Sequence, residues 1–136
     1  MSDSLPILLI PGLTCSARLY GDQIPALWRF GSVAVADHTR DDSMAAIARR
    51  ILAAAPPRFA LAGLSMGGYI AFEVMRQAPQ RVVKLALLDT GARAETPEQT
   101  ERRKVVIALA KSRRYAEVPD IAFRSMSTAI ATTMPV

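Results

Sequence analysis

The sequence has 136 residues, of which 51% are hydrophobic, and its formal net charge is +5. This length suffices for one sizeable core and does not call for two independent domains. The single cysteine, Cys15, excludes an intramolecular disulfide and favours a reducing, cytoplasmic setting. The apolar runs are shorter than the roughly 18 residues of a membrane span, and the polar N-terminus differs from a signal peptide, so we expect no membrane association.

Short apolar runs alternate with amphipathic segments in the first part of the chain. Leu5 to Ile10 is a continuous apolar run that ends at Pro11-Gly12, which predicts a buried strand followed by a tight loop. The loosely amphipathic segment from Ala17 to Phe30 predicts one helix. Val33 to Ala36 then predicts a second strand, and the polar loop from Asp37 to Asp42 follows it.

The alternation continues with two more pairs of elements. Ser43 is the predicted N-cap of a helix that ends before Pro56-Pro57. Phe59 to Ala62 predicts a third strand, Met66 to Ala78 a helix directly after it, and Val82 to Leu88 a fourth strand. This order predicts an α/β fold in which helices flank a parallel sheet on both faces.

The last part of the sequence has a different, helical character. Thr96-Pro97-Glu98-Gln99 has the form of a capping box with proline at the first helical position, which predicts the start of a long, charged helix. A further helix is predicted from about Pro119 to Ser127. The basic residues between Arg102 and Arg114 are opposed by few acids. They form no continuous basic face, so a solvated helix is favoured over a nucleic-acid-binding surface.

The strongest functional motif is Gly63-Leu64-Ser65-Met66-Gly67, which lies where the third predicted strand meets a helix. A turn this sharp forces strained backbone angles on the serine, and Gly63 and Gly67 let strand and helix pass close together. The backbone N–H of Met66, at the helix N-terminus, could then bind a developing oxyanion. The alternative is a glycine-rich turn with an N-cap serine, but the strand-to-helix context favours Ser65 as a nucleophile.

A second motif, Ile10-Pro11-Gly12-Leu13-Thr14, follows the first predicted strand. An acyl-transfer site needs another N–H donor from a loop beside the nucleophile, and Leu13 is the candidate for that donor. Alone, the segment would be interpreted as an ordinary Pro-Gly turn. Its occurrence together with the Ser65 motif favours the oxyanion-binding interpretation.

These features together resemble the N-terminal portion of the α/β-hydrolase superfamily, in particular its serine esterases. The resemblance extends over about residues 5–125 and includes the Pro-Gly-Leu-Thr loop, the loop at Asp37, the Gly-Leu-Ser-Met-Gly-Gly turn and the strand end Leu88-Asp89. It implies a truncated hydrolase core over residues 1–92 and a helical cap segment over residues 93–136. It further implies no cofactor and no metal, and a triad in the chain order serine, acid, histidine.

Candidates for the other two members of the triad are weak. Asp89 follows the fourth predicted strand and is a candidate acid, with capping of its own loop as the alternative. His38 is the only histidine and therefore the only candidate base, although it precedes Ser65 and a lone histidine in a surface loop is usually unremarkable. Asp37, Asp41 and Asp42 are interpreted as solvated loop acids and not as a metal cluster.

Two hypotheses follow. The first is an esterase-like acyl-transfer site at Ser65 that acts on a small molecule, in a chain with no histidine after Ser65 and therefore with doubtful turnover alone. The second is a non-catalytic interaction module that uses the same fold. It is suggested by Val82 to Leu88, because an apolar strand at the sheet edge would need a second copy or a complementing chain to cover it.

Overall fold

The computed structural model of the protein describes residues 4–119. Its centre is a single sheet of four parallel strands in the order β2-β1-β3-β4. This arrangement confirms the predicted α/β fold with a parallel sheet. The strands are β1 Ile7–Ile10, β2 Val33–Val35, β3 Phe59–Leu64 and β4 Val82–Leu88.

Helices connect the strands, and several of their ends were predicted. The Ser43 hydroxyl accepts a hydrogen bond from the Ala46 N–H at 3.3 Å, which confirms the predicted N-cap. The helices are α1 Ile24–Leu27, α2 Met44–Ala54, α3 Met66–Gln77 and α4 Pro97–Lys111, with 3-10 turns at Ala17–Tyr20, Pro79–Arg81 and Tyr115–Glu117.

The prediction of one helix from Ala17 to Phe30 is wrong. The segment forms the 3-10 turn Ala17–Tyr20 and then the four-residue helix α1. The physical reason is Pro25, which has no N–H to donate to the carbonyl of Gly21 and whose ring would clash with that carbonyl in a continuous helix. Pro25 is tolerated instead in the first turn of α1, where no such donor is needed.

The core lies between α2, α3 and one face of the sheet. Successive side chains of a strand point to opposite faces, so alternate residues of β1 and β3 reach this face. α2 and α3 cover it with the apolar stripes that their helical spacing predicts. The buried cluster comprises Leu8, Ile10, Ile47, Ala48, Ile51, Phe59, Leu61, Ile70, Ala71 and Val74.

Arg81 joins the start of β4 to the end of α2. Its guanidinium donates hydrogen bonds to the carbonyl oxygens of Leu52 at 2.9 Å, Ala55 at 2.8 Å and Pro56 at 2.8 Å. The last carbonyl groups of a helix accept no hydrogen bond within the helix and lie at the negative end of its dipole, so a cation is favourable there. Arg81 therefore fixes the position of α2 relative to β4.

The other face of the sheet is more open, and β4 is the most exposed strand. β4 lies at the end of the strand order, and six of its seven residues are exposed. An apolar groove of about 680 Å³ runs along this face, between the 3-10 turn that contains Tyr20 and the residues Ala86 and Leu88. The predicted position of β4 at the edge of the sheet is thus confirmed for the described strands.

The chain divides into two compact units, Met1–Ala92 and Arg93–Val136. In the second unit the Thr96 hydroxyl accepts from the Gln99 N–H, and the Gln99 side chain accepts from the Thr96 N–H, so the predicted capping box is confirmed. The helix predicted from Pro119 to Ser127 lies, apart from its first residue, outside the described residues. The interpretation of residues 93–136 as a cap stays a prediction.

Acidic partners line the basic segment of the second unit. Arg102 pairs with Glu98, Lys104 with Glu101 at 2.7 Å and Arg114 with Glu117 at 2.5 Å. The expectation that few acids oppose these cations is therefore wrong. The acids were available in the sequence at helical spacing, three or four residues from each of these three cations.

Across residues 4–119, no helix combines the length and apolar character needed to cross a membrane.

Candidate active site

Ser65 forms the turn between β3 and α3. β3 ends at Leu64 and α3 begins at Met66, so one residue carries the whole change of direction. Its backbone angles are φ 54° and ψ −115°. A positive φ is rare for a residue with a side chain and costs free energy, so it persists only where the surroundings enforce it. The strained strand-to-helix turn that the motif predicts is present at Ser65.

Backbone sterics enforce this turn. A Cβ atom on Gly67 would lie 2.2 Å from the carbonyl oxygen of Ile10 and 2.6 Å from that of Pro11. A Cβ atom on Gly63 would lie 2.3 Å from the carbonyl oxygen of Gly67. Strand, helix and the end of β1 therefore pass at distances that only glycine permits, as expected for both positions.

Hydrogen bonds hold the turn to the end of β4. The Ser65 N–H donates to the carbonyl of Leu88 at 2.9 Å, and the Thr90 hydroxyl donates to the carbonyl of Ser65 at 2.8 Å. Thr90 also packs against Gly68, where an added Cβ would lie 2.4 Å from the Thr90 Oγ1. Thr90 was not predicted from the sequence. Its place directly after the strand end at Asp89 was the available signal.

The Ser65 side chain is left available at the helix N-terminus. Ser65 occupies the N-cap position of α3, but its side chain makes no capping hydrogen bond. Met66 is the first residue of α3, and the first N–H groups of a helix have no acceptor within the helix. The hydroxyl of Ser65 and the N–H of Met66 thus lie together at the positive end of the α3 dipole.

A second turn, Gly12–Cys15, lies beside Ser65. The Cys15 N–H donates to the carbonyl of Gly12 at 3.2 Å, and Thr14 has φ 60°. A Cβ atom on Gly12 would be 3.5 Å from the Cβ of Ser65, so the two turns are in contact. Within the part of the chain that the structure describes, the Leu13 N–H donates no hydrogen bond. The donor predicted from the Pro-Gly-Leu-Thr motif therefore belongs to the residue after Gly12, the glycine in contact with Ser65, and it has no acceptor among the described residues.

Comparison with solved structures relates this arrangement to esterases and other hydrolases. A thermophilic esterase from Thermogutta terrifontis is 28% identical with a TM-score of 0.62, and the match covers 77% of this chain and 44% of that one. A hydrolase from Pseudomonas aeruginosa is 22% identical with a TM-score of 0.64 and coverages of 82% and 49%. The chain has part of the α/β-hydrolase fold.

A further solved structure matches a similar share of both chains. An N-formylmaleamic acid deformylase from Pseudomonas putida is 27% identical with a TM-score of 0.59, over 81% of this chain and 50% of that one. The chain thus spans about half the length of the solved α/β-hydrolase structures that it matches. Neither a scan against protein-family models nor a search of curated proteins found a match.

His38 occupies a different environment from the one expected of it. The prediction of a surface-loop histidine is wrong, because the residue is only 8% exposed and its Nε2 lies 3.1 Å from the carbonyl oxygen of Gly12. The predicted strand order is confirmed, with β2 two places from β3. The loop after β2 returns over the end of the neighbouring strand β1, which brings the ring beside Gly12.

The hydrogen bond of His38 bears on its role in an α/β-hydrolase site. A carbonyl oxygen only accepts, so the proton of this hydrogen bond belongs to Nε2. In this tautomer the lone pair lies on Nδ1, which makes no hydrogen bond with the described residues. No hydrogen bond between the described side chains joins His38 to Ser65. The geometry therefore argues against the candidate role of His38 as the catalytic base.

Asp89 lies where the resemblance places a candidate acid. It directly follows β4 on the same sheet edge as Ser65, has φ 45° and is exposed. Among the side-chain hydrogen bonds of residues 4–119, none joins Asp89 to Ser65 or His38. The structure thus brings the Gly12–Cys15 turn into contact with Ser65, which directly precedes Met66, whereas the oxyanion role of Leu13 and Met66 and an acid role for Asp89 stay predictions.

The acids of the loop after β2 are engaged with their neighbours. The Asp37 carboxylate accepts from the Thr39 hydroxyl at 2.6 Å and pairs with Arg40 at 2.7 Å, and these contacts hold its pKa well below the ordinary value. Asp41 pairs with Arg50 at 2.5 Å, which also lowers its pKa. No group of three or more His, Cys, Asp or Glu within residues 4–119 is placed to hold a metal ion.

Tyr20 is a further residue near these turns whose contact was not predicted from the sequence. Its buried hydroxyl donates to the carbonyl of Ile10 at 2.8 Å, at the end of β1 that leads into the Gly12–Cys15 turn. Burial raises the pKa of this hydroxyl, and the nearby Cys15 raises it further. The sequence offered little signal, because the predicted helix through Ala17 to Phe30 did not place Tyr20 against β1.

Proposed function

We propose that Ser65 is the nucleophile of an esterase-like site that transfers an acyl group from a small-molecule ester to water or another acceptor. The observation that carries this proposal is the strained backbone of Ser65, whose side chain makes no capping hydrogen bond at the start of α3. Strain of this kind is kept where it serves a function. The esterase from Thermogutta terrifontis among the similar structures supports the same reaction class.

The reaction would follow from this geometry in two stages. The Oγ of Ser65 attacks the ester carbonyl, its proton passes to a base, and the carbonyl oxygen becomes an oxyanion that accepts from the Met66 and Leu13 N–H groups. Collapse expels the alcohol with that proton and leaves an acyl group on Ser65. Water then releases the acid by the same steps. Neither stage needs a cofactor. The cytoplasmic location of the protein stays a prediction, which rests on its single cysteine.

The base is the part of this mechanism for which the described residues offer no candidate. His38 is the only histidine of the sequence, and no hydrogen bond of the described residues joins either of its ring nitrogens to Ser65. We therefore expect the 136-residue chain to acylate slowly, and we expect full turnover only where a histidine is supplied from outside these residues. The proposal of full esterase turnover therefore applies to Ser65 together with such a histidine and not to the 136-residue chain alone.

A fluorophosphonate probe tests the nucleophile, because a serine oxygen that attacks its phosphorus displaces fluoride, and its phosphoryl oxygen occupies the oxyanion position. We expect slow labelling at Ser65, located by mass spectrometry, and its loss in Ser65→Ala. The matched control is Ser32→Ala, since Ser32 is exposed and its hydroxyl makes no hydrogen bond among the described residues. A folded protein that is never labelled at Ser65 would contradict the proposal.

Added imidazole tests the missing base. Hydrolysis of p-nitrophenyl acetate by the wild type, minus that by Ser65→Ala, isolates the contribution of Ser65 from the background reaction of imidazole. We expect this difference to rise with imidazole concentration and then to saturate, because a free imidazole can take the place of the absent histidine. Rapid, stoichiometric labelling without imidazole would show that the chain already has a base.

A second candidate function is an interaction subunit, and the exposure of β4 favours it. An unpaired apolar strand edge invites pairing with another strand. β4 carries exposed apolar residues along its length, including Val83, Leu85 and Leu87, and only Lys84 interrupts them. The occupant with the simplest requirements is a second copy of the chain, aligned along β4.

Light scattering after size-exclusion chromatography separates the candidates. We expect a concentration-dependent dimer that Leu85→Lys dissociates, since a charge in the middle of an edge strand opposes pairing. The matched control is Val105→Lys, which adds the same charge at a position of α4 that is 52% exposed. A well-folded monomer at all concentrations would count against an edge-pairing role.

A further inference from the structure

The Leu13 N–H and the Gly12 carbonyl belong to the same peptide unit. In a trans peptide these two groups point in opposite directions across a rigid plane. There are no cis peptide bonds in the described chain, so this holds between Gly12 and Leu13. Whatever fixes the direction of the Gly12 carbonyl therefore also fixes the direction of the Leu13 N–H.

Two donors fix the Gly12 carbonyl. The Cys15 N–H reaches it across the turn at 3.2 Å, and the Nε2 of His38 reaches it at 3.1 Å. The backbone donor comes from the same exposed turn, which also includes Thr14 at φ 60°. The histidine is held elsewhere, because it follows β2 and is buried. Of the two donors, His38 is thus the one that ties the turn to the sheet.

The same hydrogen bond also strengthens the donor at the other end of the peptide. A donor at a carbonyl oxygen polarises the amide, and hydrogen bonds in such chains reinforce one another. The Leu13 N–H is remote from His38 in sequence but separated from the imidazole by one peptide unit. Its direction and its strength as a donor both depend on that contact.

We propose that His38 is a positioning residue for the oxyanion donor, which aims and polarises the Leu13 N–H through the Gly12 carbonyl. The inference rests on the proposed function of Ser65 and adds a role to the only histidine of the chain. His38 does not touch the substrate in this role. It acts through the backbone of Gly12 and Leu13.

Tyr20 provides a matched control within the same strand end. Its hydroxyl donates to the Ile10 carbonyl at 2.8 Å and is buried, as His38 is. The peptide unit of that carbonyl continues into Pro11, which has no N–H. The Tyr20 hydrogen bond therefore supports the same segment without aiming a donor. Tyr20→Phe should lower stability as a His38 variant does, but leave the oxyanion donor unchanged.

Backbone dynamics at Leu13 give the first test, and it needs no reactivity. The NMR order parameter of the Leu13 N–H should fall from about 0.85 in the wild type to below about 0.6 in His38→Leu, which marks a flexible backbone. His38→Gln, whose amide can donate at a similar reach, should restore most of the order. Tyr20→Phe should leave the Leu13 value unchanged. An unchanged Leu13 in a folded His38→Leu would overturn the proposal.

The wild-type protein supplies a measurement that does not depend on folding of the variants. Nitrogen-15 spectra of the imidazole ring report which nitrogen carries the proton. We expect the proton on Nε2, because Gly12 offers only an acceptor. An unprotonated Nε2 would exclude the hydrogen bond and with it the inference.

The rate of fluorophosphonate labelling at Ser65 gives the functional readout. Loss of one oxyanion donor costs about 100-fold or more, and a misaimed donor should cost at least about tenfold in His38→Leu. His38→Gln should recover most of the wild-type rate, and Tyr20→Phe should match it. Equal rates in His38→Leu and the wild type would contradict the positioning role. If wild type and Ser65→Ala are both inert, the proposed function fails, and the dynamics at Leu13 still decide the role of His38.

Discussion

The turn at Ser65 and the turn at Gly12–Cys15 contact each other but are stabilised in different ways. The Ser65 turn is enforced by backbone against backbone, because Gly63 and Gly67 leave no room for a side chain. The Gly12–Cys15 turn and the strand end before it are held by side chains remote in sequence, His38 and Tyr20. The first turn should therefore tolerate almost no substitution at its glycines. Substitutions of the side chains that hold the second turn should have smaller effects, and a replacement that can still donate a hydrogen bond should restore it.

The largest effect is expected for Gly67→Ala. The new Cβ would lie 2.2 Å and 2.6 Å from two carbonyl oxygens of the β1 end, and backbone cannot move away cheaply. We expect the free energy of unfolding to fall by at least about 3 kcal/mol, at the upper end of overpacking effects. Urea denaturation followed by circular dichroism measures it.

The control for this variant is Gly91→Ala, because an added Cβ at Gly91 meets nothing within 4 Å. Its effect should stay within about 0.5 kcal/mol, as for surface substitutions without a packing role. A Gly67→Ala protein as stable as Gly91→Ala would show that the Ser65 turn is not enforced by sterics, and the contrast between the two turns would disappear.

An intermediate effect is expected for Thr90→Val, which keeps the shape of the side chain but removes the hydroxyl that donates to the Ser65 carbonyl. The loss should be about 1 kcal/mol of unfolding free energy, the usual net contribution of one hydrogen bond. Labelling of Ser65 should slow as well, because one of the two anchors of the strained residue is gone. The Leu13 order parameter should not change.

Thr100→Val is the control for Thr90→Val. Thr100 lies in α4, which has no buried residues, and its hydroxyl makes only a long contact of 3.4 Å with the carboxylate of Glu95. Its removal should leave both the unfolding free energy and the labelling rate near their wild-type values. If the two variants behave alike, Thr90 does not anchor the Ser65 turn, and backbone sterics alone account for it.

The Ser65 turn was the more predictable of the two because its determinants are local. Glycines two residues on either side of a serine, at a strand-to-helix junction, are visible in a short stretch of sequence. The parallel sheet was predictable for the same reason, since each strand is an apolar run bounded by turn residues. The capping box at Thr96 likewise involves residues within one helical turn.

The Gly12–Cys15 turn could be predicted in part only. The Pro-Gly-Leu-Thr motif indicated a donor, but the contact that directs it joins residues 26 positions apart. Sequence periodicity does not report which side chain of one loop reaches the backbone of another. His38 therefore looked like an exposed residue of a polar loop, and Tyr20 like one residue of a longer helix that Pro25 interrupts.

The smallest effect is expected at the loop that carries His38. Asp37 precedes it, and its carboxylate accepts from the Thr39 hydroxyl and pairs with Arg40, which lowers the pKa of Asp37 below its ordinary value of 3.8. A carboxylate with a lowered pKa stabilises the fold above the ordinary value, and this contribution is lost as the pH falls through the lowered one. The contribution should be small because both partners are largely exposed.

Asp37→Asn should therefore flatten the acid side of the stability profile. The difference in unfolding free energy between wild type and variant should stay constant above about pH 5 and shrink as the pH falls below that range. Asp42→Asn is the control, since Asp42 takes part in no hydrogen bond or ion pair with another of the residues 4–119. If the difference in unfolding free energy stays unchanged down to about pH 2, the charge of Asp37 contributes nothing to stability. Only the geometry of its turn would then matter, because the amide oxygen introduced by Asp37→Asn can still accept from Thr39.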